Sequence, residues 1–402
     1  MYELRTVSLL LTACVTAGAA AAQTLPSEPV TFGGGRVVLG GDVAVAMAPE
    51  DEGFFNYTDY EQTALRQFRV GMTALVRVTD RIAVLGEVRS ENLERVSATA
   101  LYARIRPFST RRFDIQIGRI PPAFGSLSRR AYGGDNPLIG YPLAYQYLTS
   151  LRADAVPGDA DELLSMRGRG WLSSFTFGNP AAAPGVPLVS AFTWDTGIQA
   201  TGGWEILTLT AGVTNGTASN PRVSDDNGGK QIVARLTVAP TTGLVVGASF
   251  ARGAFLSRQV RRLLPAGSDR EYAQVARGLD VEYSRGHWVV RADAVLSEWQ
   301  IPLPAHGPAP MALRALATAV EGRYTFLPGL YGAARAEHLG FNRVSSATRT
   351  DTWEAPVTRL EVGGGYYLQR NLVARVSVQI NARDGGRHTN ARFVAGQLLY
   401  WF

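Results

Sequence analysis

One cysteine, one lysine and four histidines among 402 residues leave this chain little material for side-chain chemistry. The cysteine, Cys14, lies in an N-terminal stretch that reads as a cleaved export signal, so the mature chain is expected to hold no cysteine. A disulfide framework and a thiol nucleophile are then both excluded. The histidines, His287, His306, His338 and His388, have no metal-ligand spacing to one another, and no serine stands two positions from His338 on its own strand face. Hydrolysis needs a nucleophile, a base and an orienting group within hydrogen-bond reach, so a hydrolase ranks low, and no cofactor or metal is expected. Long apolar runs are missing as well. After residue 22 nothing approaches the roughly 20 apolar residues of a membrane-spanning helix, although 46% of the residues are hydrophobic and the mean hydropathy is −0.01. A membrane span in this chain must therefore be built from strands.

The first 22 residues carry Arg5, an apolar run from Val7 to Val15 and then Ala20-Ala21-Ala22 ahead of Gln23, the layout of a secretory signal. Cleavage after Ala22 leaves 23–402 as the mature domain. Leu11-Thr12-Ala13-Cys14 offers a competing lipoprotein processing site that would leave Cys14 lipidated. Glu3 and Arg5 leave together, so the net charge of +6 is unchanged by the first cleavage.

What the chain does have is glycine (43), proline (21) and aromatic residues (Trp 7, Tyr 15, Phe 16), distributed as segments of period-two alternation separated by turn residues. That is the signature of a transmembrane β-barrel. Sixteen segments are read, beginning near residues 36, 64, 82, 96, 112, 188, 204, 230, 243, 272, 287, 311, 329, 354, 371 and 390. Tight connections alternate with longer ones at 49–62, 121–187, 215–229, 256–270, 300–310, 343–352 and 384–389. Trp171 to Gly178 also looks strand-like, but a seventeenth strand would break the even parity of bacterial single-chain barrels, so it is assigned to the 121–187 loop. The predicted fold class is all-β: a sixteen-stranded antiparallel barrel with one long inward-folded loop.

The last strand, Arg392 to Phe402, alternates Val394, Leu398, Tyr400 and Phe402 against Ala395, Gln397, Leu399 and Trp401. A terminal aromatic on such a strand resembles the closing strand of bacterial outer-membrane barrels, which implies that location. The stretch Gln116-Ile117-Gly118-Arg119-Ile120-Pro121-Pro122-Ala123-Phe124-Gly125 resembles the phosphate-selective porin O/P family. Membership would imply a sixteen-stranded trimeric anion channel. The family's selective members use lysines as well as arginines along the lumen, and this chain has only Lys230, so the resemblance implies a porin fold and passive permeation more strongly than it implies phosphate; a homotrimer is expected from the resemblance alone.

Alternation has a physical cause, because a closed barrel presents side chains to lipid and to the lumen by turns. In strand fifteen Leu372, Ala374, Val376, Val378 and Ile380 oppose Arg375, Ser377, Gln379, Asn381 and Arg383. The same reasoning assigns Arg69, Arg77, Arg104, Arg106, Arg235, Arg291, Arg323, Arg335, Arg359 and Arg375 to the pore lining, with Glu87, Asp114, Asp293, Glu321 and Glu361. Arg383, Asp42, Glu91, Asp195, Asp280, Glu282 and Glu337 share that face. Pairs such as Arg291 with Asp293, or Arg335 with Glu337, read either as ion-pair ladders or as part of a transverse field that selects solutes. The 121–187 loop is far longer than an ordinary connection and rich in aromatics, so it is expected to fold inward. Its charged candidates for a constriction are Arg129, Arg130, Asp135, Asp159, Asp161 and Glu162; for the acidic group, a solvated loop tip is the competing account.

The function expected is an outer-membrane porin, a water-filled channel for passive diffusion of small hydrophilic solutes and ions, with a mild anion preference. Its partners are outer-membrane lipid and those solutes. A structural or receptor barrel without an open pore is the alternative; a plugged transporter is disfavoured, because only Gln23 to Gly35 precedes the first strand. The basic pI of 9.5 has no nucleic-acid motif beside it, so nucleic-acid binding is not expected.

Overall fold

Alternating segments that must satisfy their backbone hydrogen bonds without water do so by closing on themselves. In the computed structural model, which describes residues 26–57, 63–110, 112–126, 133–190, 193–264, 272–306, 310–386 and 388–402, sixteen antiparallel strands form one ring. They are β1 Val37–Met47, β2 Gln67–Arg77, β3 Ile82–Glu91, β4 Arg95–Ile105, β5 Arg112–Ile120, β6 Asp195–Gly203, β7 Leu207–Thr214 and β8 Gln231–Thr241. They continue as β9 Leu244–Ala254, β10 Ala273–Arg285, β11 Trp288–Ile301, β12 Met311–Leu327, β13 Leu330–Phe341, β14 Val357–Gln369, β15 Leu372–Arg383 and β16 Asn390–Trp401. Each strand pairs with its sequence neighbours, and β1 closes the ring on β16, with Asp42 opposite Trp401 and Met47 opposite Gly396. Below that seam a short strand, Val30–Phe32, takes the same edge of β1, turning back through Gly33, Gly34 and Gly35. All three glycines have positive φ, so the glycine run is a turn. The N-terminal stretch expected to be an export signal, with Cys14, lies outside the described residues, as do Arg129 and Arg130.

Strand starts fall where the alternation put them, with one displacement and one exception to the loop pattern. The sixth strand starts at Asp195 instead of near 188, because Leu188 and Val189 are buried in the lumenal cluster. Their alternation is that of packed loop. Trp171 to Gly178 likewise stays inside the long loop, where Phe177–Gly178 pairs only with Ala155–Val156. The exception is residues 92–94, an outer connection reduced to a tight turn in which Asn92 and Leu93 take positive φ. Asn92 Oδ1 accepts the Phe68 amide at 2.8 Å, which supports that turn.

The two faces of the wall separate as alternation requires. Leu360, Val362, Tyr366, Val376, Ile380, Val394 and Leu398 are exposed on the outside, while Arg359, Glu361, Arg375, Gln379, Leu399 and Ala395 are buried inside. Trp204, Trp288, Phe326 and Tyr366 stand exposed at the rim that carries the short turns, as an interfacial aromatic girdle does. Such a wall, apolar outside and closed at its edges, is a transmembrane barrel. The hydrophobic core is therefore displaced from the wall into the lumen, where the long loop, with helices α1 (Leu143–Gln146) and α2 (Ala160–Ser165), packs with Phe55, Leu65, Trp299, Leu339 and Trp353. A third helix, α3 (Arg258–Leu263), lies in the connection between β9 and β10.

Candidate functional site

The site is the lumen and the loop inside it. At the end of β5 the chain turns inward at Pro121, and Phe124 seats against β9 and β10, where the Gly125 amide donates to Ser249 Oγ at 3.1 Å. From Asn136 to Ala153 every residue is buried. A segment covered on both sides cannot be a free strap across water; it is packed into the outer half of the bore.

What holds it there is a set of wall charges far away in sequence. Arg335 on β13 is 1% exposed and binds three carboxylates: Glu337 through Nε at 3.0 Å, Glu321 through Nη1 at 3.2 Å and Glu361 through Nη2 at 2.8 Å. Its Nη2 also donates to the Gly140 carbonyl at 2.7 Å. The carboxylates complete the clasp, since Glu361 accepts the Gly140 amide at 3.0 Å and Glu337 accepts the Leu143 amide at 2.7 Å. Arg359 donates to Asn381 Oδ1, to the Tyr141 carbonyl and to the Phe55 carbonyl, joining the first outer loop to the long one. Arg69 pairs with Asp42 at 3.2 Å and donates to Tyr141 Oη at 2.7 Å. Arg375 donates to Tyr331 Oη, which donates in turn to the Pro137 carbonyl. Buried ion pairs add little net stability but fix position, because an imperfect geometry leaves a desolvated charge unpaired. Here they fix the register of loop against wall.

Two outer carboxylates show the cost of that burial. Glu354, fully buried in the connection before β14, accepts amides from Ser150 at 2.8 Å and Ala355 at 2.7 Å, and also from Gly168. Desolvation still outweighs these bonds and raises its pKa above the carboxylate range. Asp51, between β1 and β2, is raised for the same reason despite accepting the Asn56 amide at 2.7 Å.

The acidic trio of the loop sits elsewhere. Asp159 caps α2 by accepting the Glu162 amide at 2.8 Å, and Glu162 accepts in turn from the amide of Gly158, just before the cap, and from Thr176. Asp161 accepts from Ala347 and Thr348 in the outer hairpin of Arg343–Ser345 and Thr350–Thr352. Asp135 is exposed. These oxygens are taken by backbone and hydroxyl donors at the outer end of the loop.

Toward the short-turn rim the lumen is wetter. Arg291 bridges Glu282 at 2.6 Å and Glu321 at 3.2 Å, continuing the Arg335 cluster downward. Arg235 forks onto Asp280 at 2.6 and 2.8 Å. Glu87 pairs with Arg89 at 2.8 Å, a partner from its own strand. Arg77 and Arg106 are exposed, Arg104 and Arg323 half-buried, and none of the four meets a carboxylate among the described residues. Arg323 instead lies over the Tyr331 ring, 4.6 Å from its centroid. Asp293 is half-buried on the same inner face, and Asp114 receives a 3.3 Å contact from Gln116. The loop clasp was not anticipated; the signal for it was the repeated Arg and Glu at inward positions of three successive strands.

The histidines are scattered. His338 faces outward and bonds Thr358 Oγ1 at 3.0 Å, while His388 lies 3.9 Å from Glu52 in an outer loop. Among the described residues no group of three or more His, Cys, Asp or Glu side chains is placed to hold a metal.

A closed antiparallel barrel of sixteen strands is a porin-like fold. No protein-family model matches the sequence, and no curated protein matches it. Solved structures do. The outer-membrane channel DcaP of Acinetobacter baumannii is similar with a TM-score of 0.54 at 11% identity, over 93% of this chain and 100% of that one. OmpT, an outer-membrane protein of Vibrio cholerae, is similar with a TM-score of 0.52 at 12% identity, over 95% and 100%. An anion-selective porin from Comamonas acidovorans gives 0.52 at 10% identity, over 91% and 99%. Likeness at such low identity is likeness of fold.

Proposed function

We propose that this protein is an outer-membrane channel for small hydrophilic solutes, with a mild preference for anions. The observation that carries the preference is an imbalance in the lower lumen: Arg77, Arg104, Arg106 and Arg323 lack carboxylate partners among the described residues, against Asp114, whose contact is Gln116, while Glu282, Asp280 and Glu321 are each bound to arginine. Uncompensated cations lining a water-filled passage raise the local anion concentration. The inward-folded loop, clasped by buried charges, sets the narrowest part.

The Gln116 to Gly125 stretch supports the porin reading more than phosphate selectivity. Its glycines shape the loop entry: Gly118 has φ +128 and Gly125 φ +74, and a Cβ at Gly118 would stand 2.4 Å from the Leu101 carbonyl oxygen. Arg119 is occupied by the Trp194 and Ala98 carbonyls. A homotrimer belongs to the same reading; one matched structure of OmpT from Vibrio cholerae is described as a trimer form.

Single-channel recording in a planar bilayer tests the proposal. Discrete conductance steps are expected, with a reversal potential under a tenfold salt gradient of the sign for anion preference. Absence of steps from folded protein would overturn the channel, and a cation-signed potential would overturn the selectivity.

A further inference from the structure

Above the loop, the outer connections enclose a vestibule of about 630 Å³, within the size range of small-molecule sites. Four arginines line it, Arg167, Arg169, Arg349 and Arg383, against one described lining carboxylate, Glu52. Arg167 is balanced by Asp384 at 3.2 Å and Asp351 at 3.6 Å. The other three meet no carboxylate among the described residues. Arg383 is 6% exposed, donates to the carbonyls of Gly53, Gly385 and His388 and to the Tyr147 phenol, and lies over the Phe55 ring. Arg349 donates to the Leu164 carbonyl at 2.7 Å, and the Arg169 side chain is exposed with no partner among the described residues. A buried guanidinium held by carbonyl dipoles, with no described carboxylate against it, makes the floor of this cavity attractive to an anion.

One wall of the same cavity is an aromatic platform. Phe54 and Trp171 stack with ring centroids 3.6 Å apart and planes 14° from parallel, and both remain partly exposed. Phe54 is held at φ 54, a conformation that bulky residues avoid. Strain of this kind persists where the surroundings enforce it, and is a pointer to function. Tyr57 braces the Phe54 ring edge-on at 4.7 Å.

Arginines opposite a stacked aromatic pair suit a ligand with both a negative group and a flat ring. We propose that this vestibule binds small aromatic carboxylates, with the carboxylate toward Arg169, Arg349 and Arg383 and the ring on Phe54 and Trp171. Inorganic phosphate would satisfy the arginines but leave the platform and most of the volume unused. The proposal goes beyond the channel reading and does not depend on conduction.

Isothermal titration of the full refolded barrel in detergent, with 2-naphthoate, decahydro-2-naphthoate and inorganic phosphate as probes, tests it. Naphthoate is expected to bind about fivefold tighter than its saturated analogue, the scale of one aromatic contact. Trp171→Leu should remove that difference while both carboxylates still bind, and Trp171→Phe should keep it. Arg169→Gln, at an exposed position where folding is not at stake, should weaken both carboxylates by about three- to tenfold. Equal affinity for the two ring systems, phosphate binding as tightly as naphthoate, or an Arg169→Gln protein that binds as the parent does would each overturn the assignment. A protein that conducts but fails these titrations loses only the vestibule site.

Discussion

Gly140 in the long loop lies directly against Glu361 on β14: its amide donates to Glu361 Oε1 at 3.0 Å, and a Cβ at that glycine would come within 2.5 Å of Glu361 Oε2. The same Cβ would meet Gln379 Nε2 at 2.7 Å. The absence of a side chain therefore sets how closely the loop approaches the wall. Gly140→Ala should push the loop inward at a cost of about 1 to 3 kcal/mol, the range for overpacking a close-packed site. Thermal unfolding in detergent, with limited proteolysis of the loop, reads this; a melting temperature and digestion pattern unchanged from the parent would refute it.

Arg335 is the hub for Glu321, Glu337 and Glu361. Arg335→Met should destabilise the barrel by about 3 to 5 kcal/mol, because it leaves buried carboxylates without their cation. Glu337→Gln, which keeps an acceptor for the Leu143 amide, should cost less. Urea unfolding of the two variants orders them, and equal losses would show that the arginine is not the hub.

Glu354 links pH to the anchoring of the outer loops. Folding raises its pKa above the ordinary value of 4.5, so its favourable contribution is fully present below that ordinary value and is lost as pH rises through the folded one. Asp51, raised in the same direction, adds to the effect. Hydrogen exchange at the Ser150 and Gly168 amides should therefore speed up as pH rises above that ordinary value, beyond its intrinsic increase. Glu354→Gln should flatten that excess, and Glu354→Ala should speed exchange at every pH by leaving both amides without an acceptor.

The lower-lumen arginines set the expected ion preference. A double change, Arg104→Gln with Arg323→Gln, should move the reversal potential under a salt gradient toward cation preference, with little effect on stability because neither residue has a carboxylate to orphan among the described residues. An unchanged potential would place the selectivity elsewhere.

Much of this architecture is local and could be read in advance. In β15 a two-residue period puts Arg375, Gln379 and Asn381 inside and Val376 and Ile380 outside, and a one-residue slip would reverse every one of them. The displaced start of β6 shows the limit, since Leu188 and Val189 alternate like a strand yet pack as loop. The tight 92–94 turn shows another: Asn92 and Leu93 adopt positive φ, a conformation that Leu93 does not advertise in sequence.

By itself the sequence determined strand number, the order of the strands around the ring, the two faces of a regular strand such as β15 and the inward bias of the long loop, because alternation and turn chemistry act over a few residues. Only the tertiary structure decided which inward charges face water and which are clasped beneath the loop. Arg335 meets Gly140 across 195 positions of sequence, and Arg359 meets Phe55 across 304. Such pairings follow from barrel closure and from where a long segment comes to rest, which no local pattern encodes.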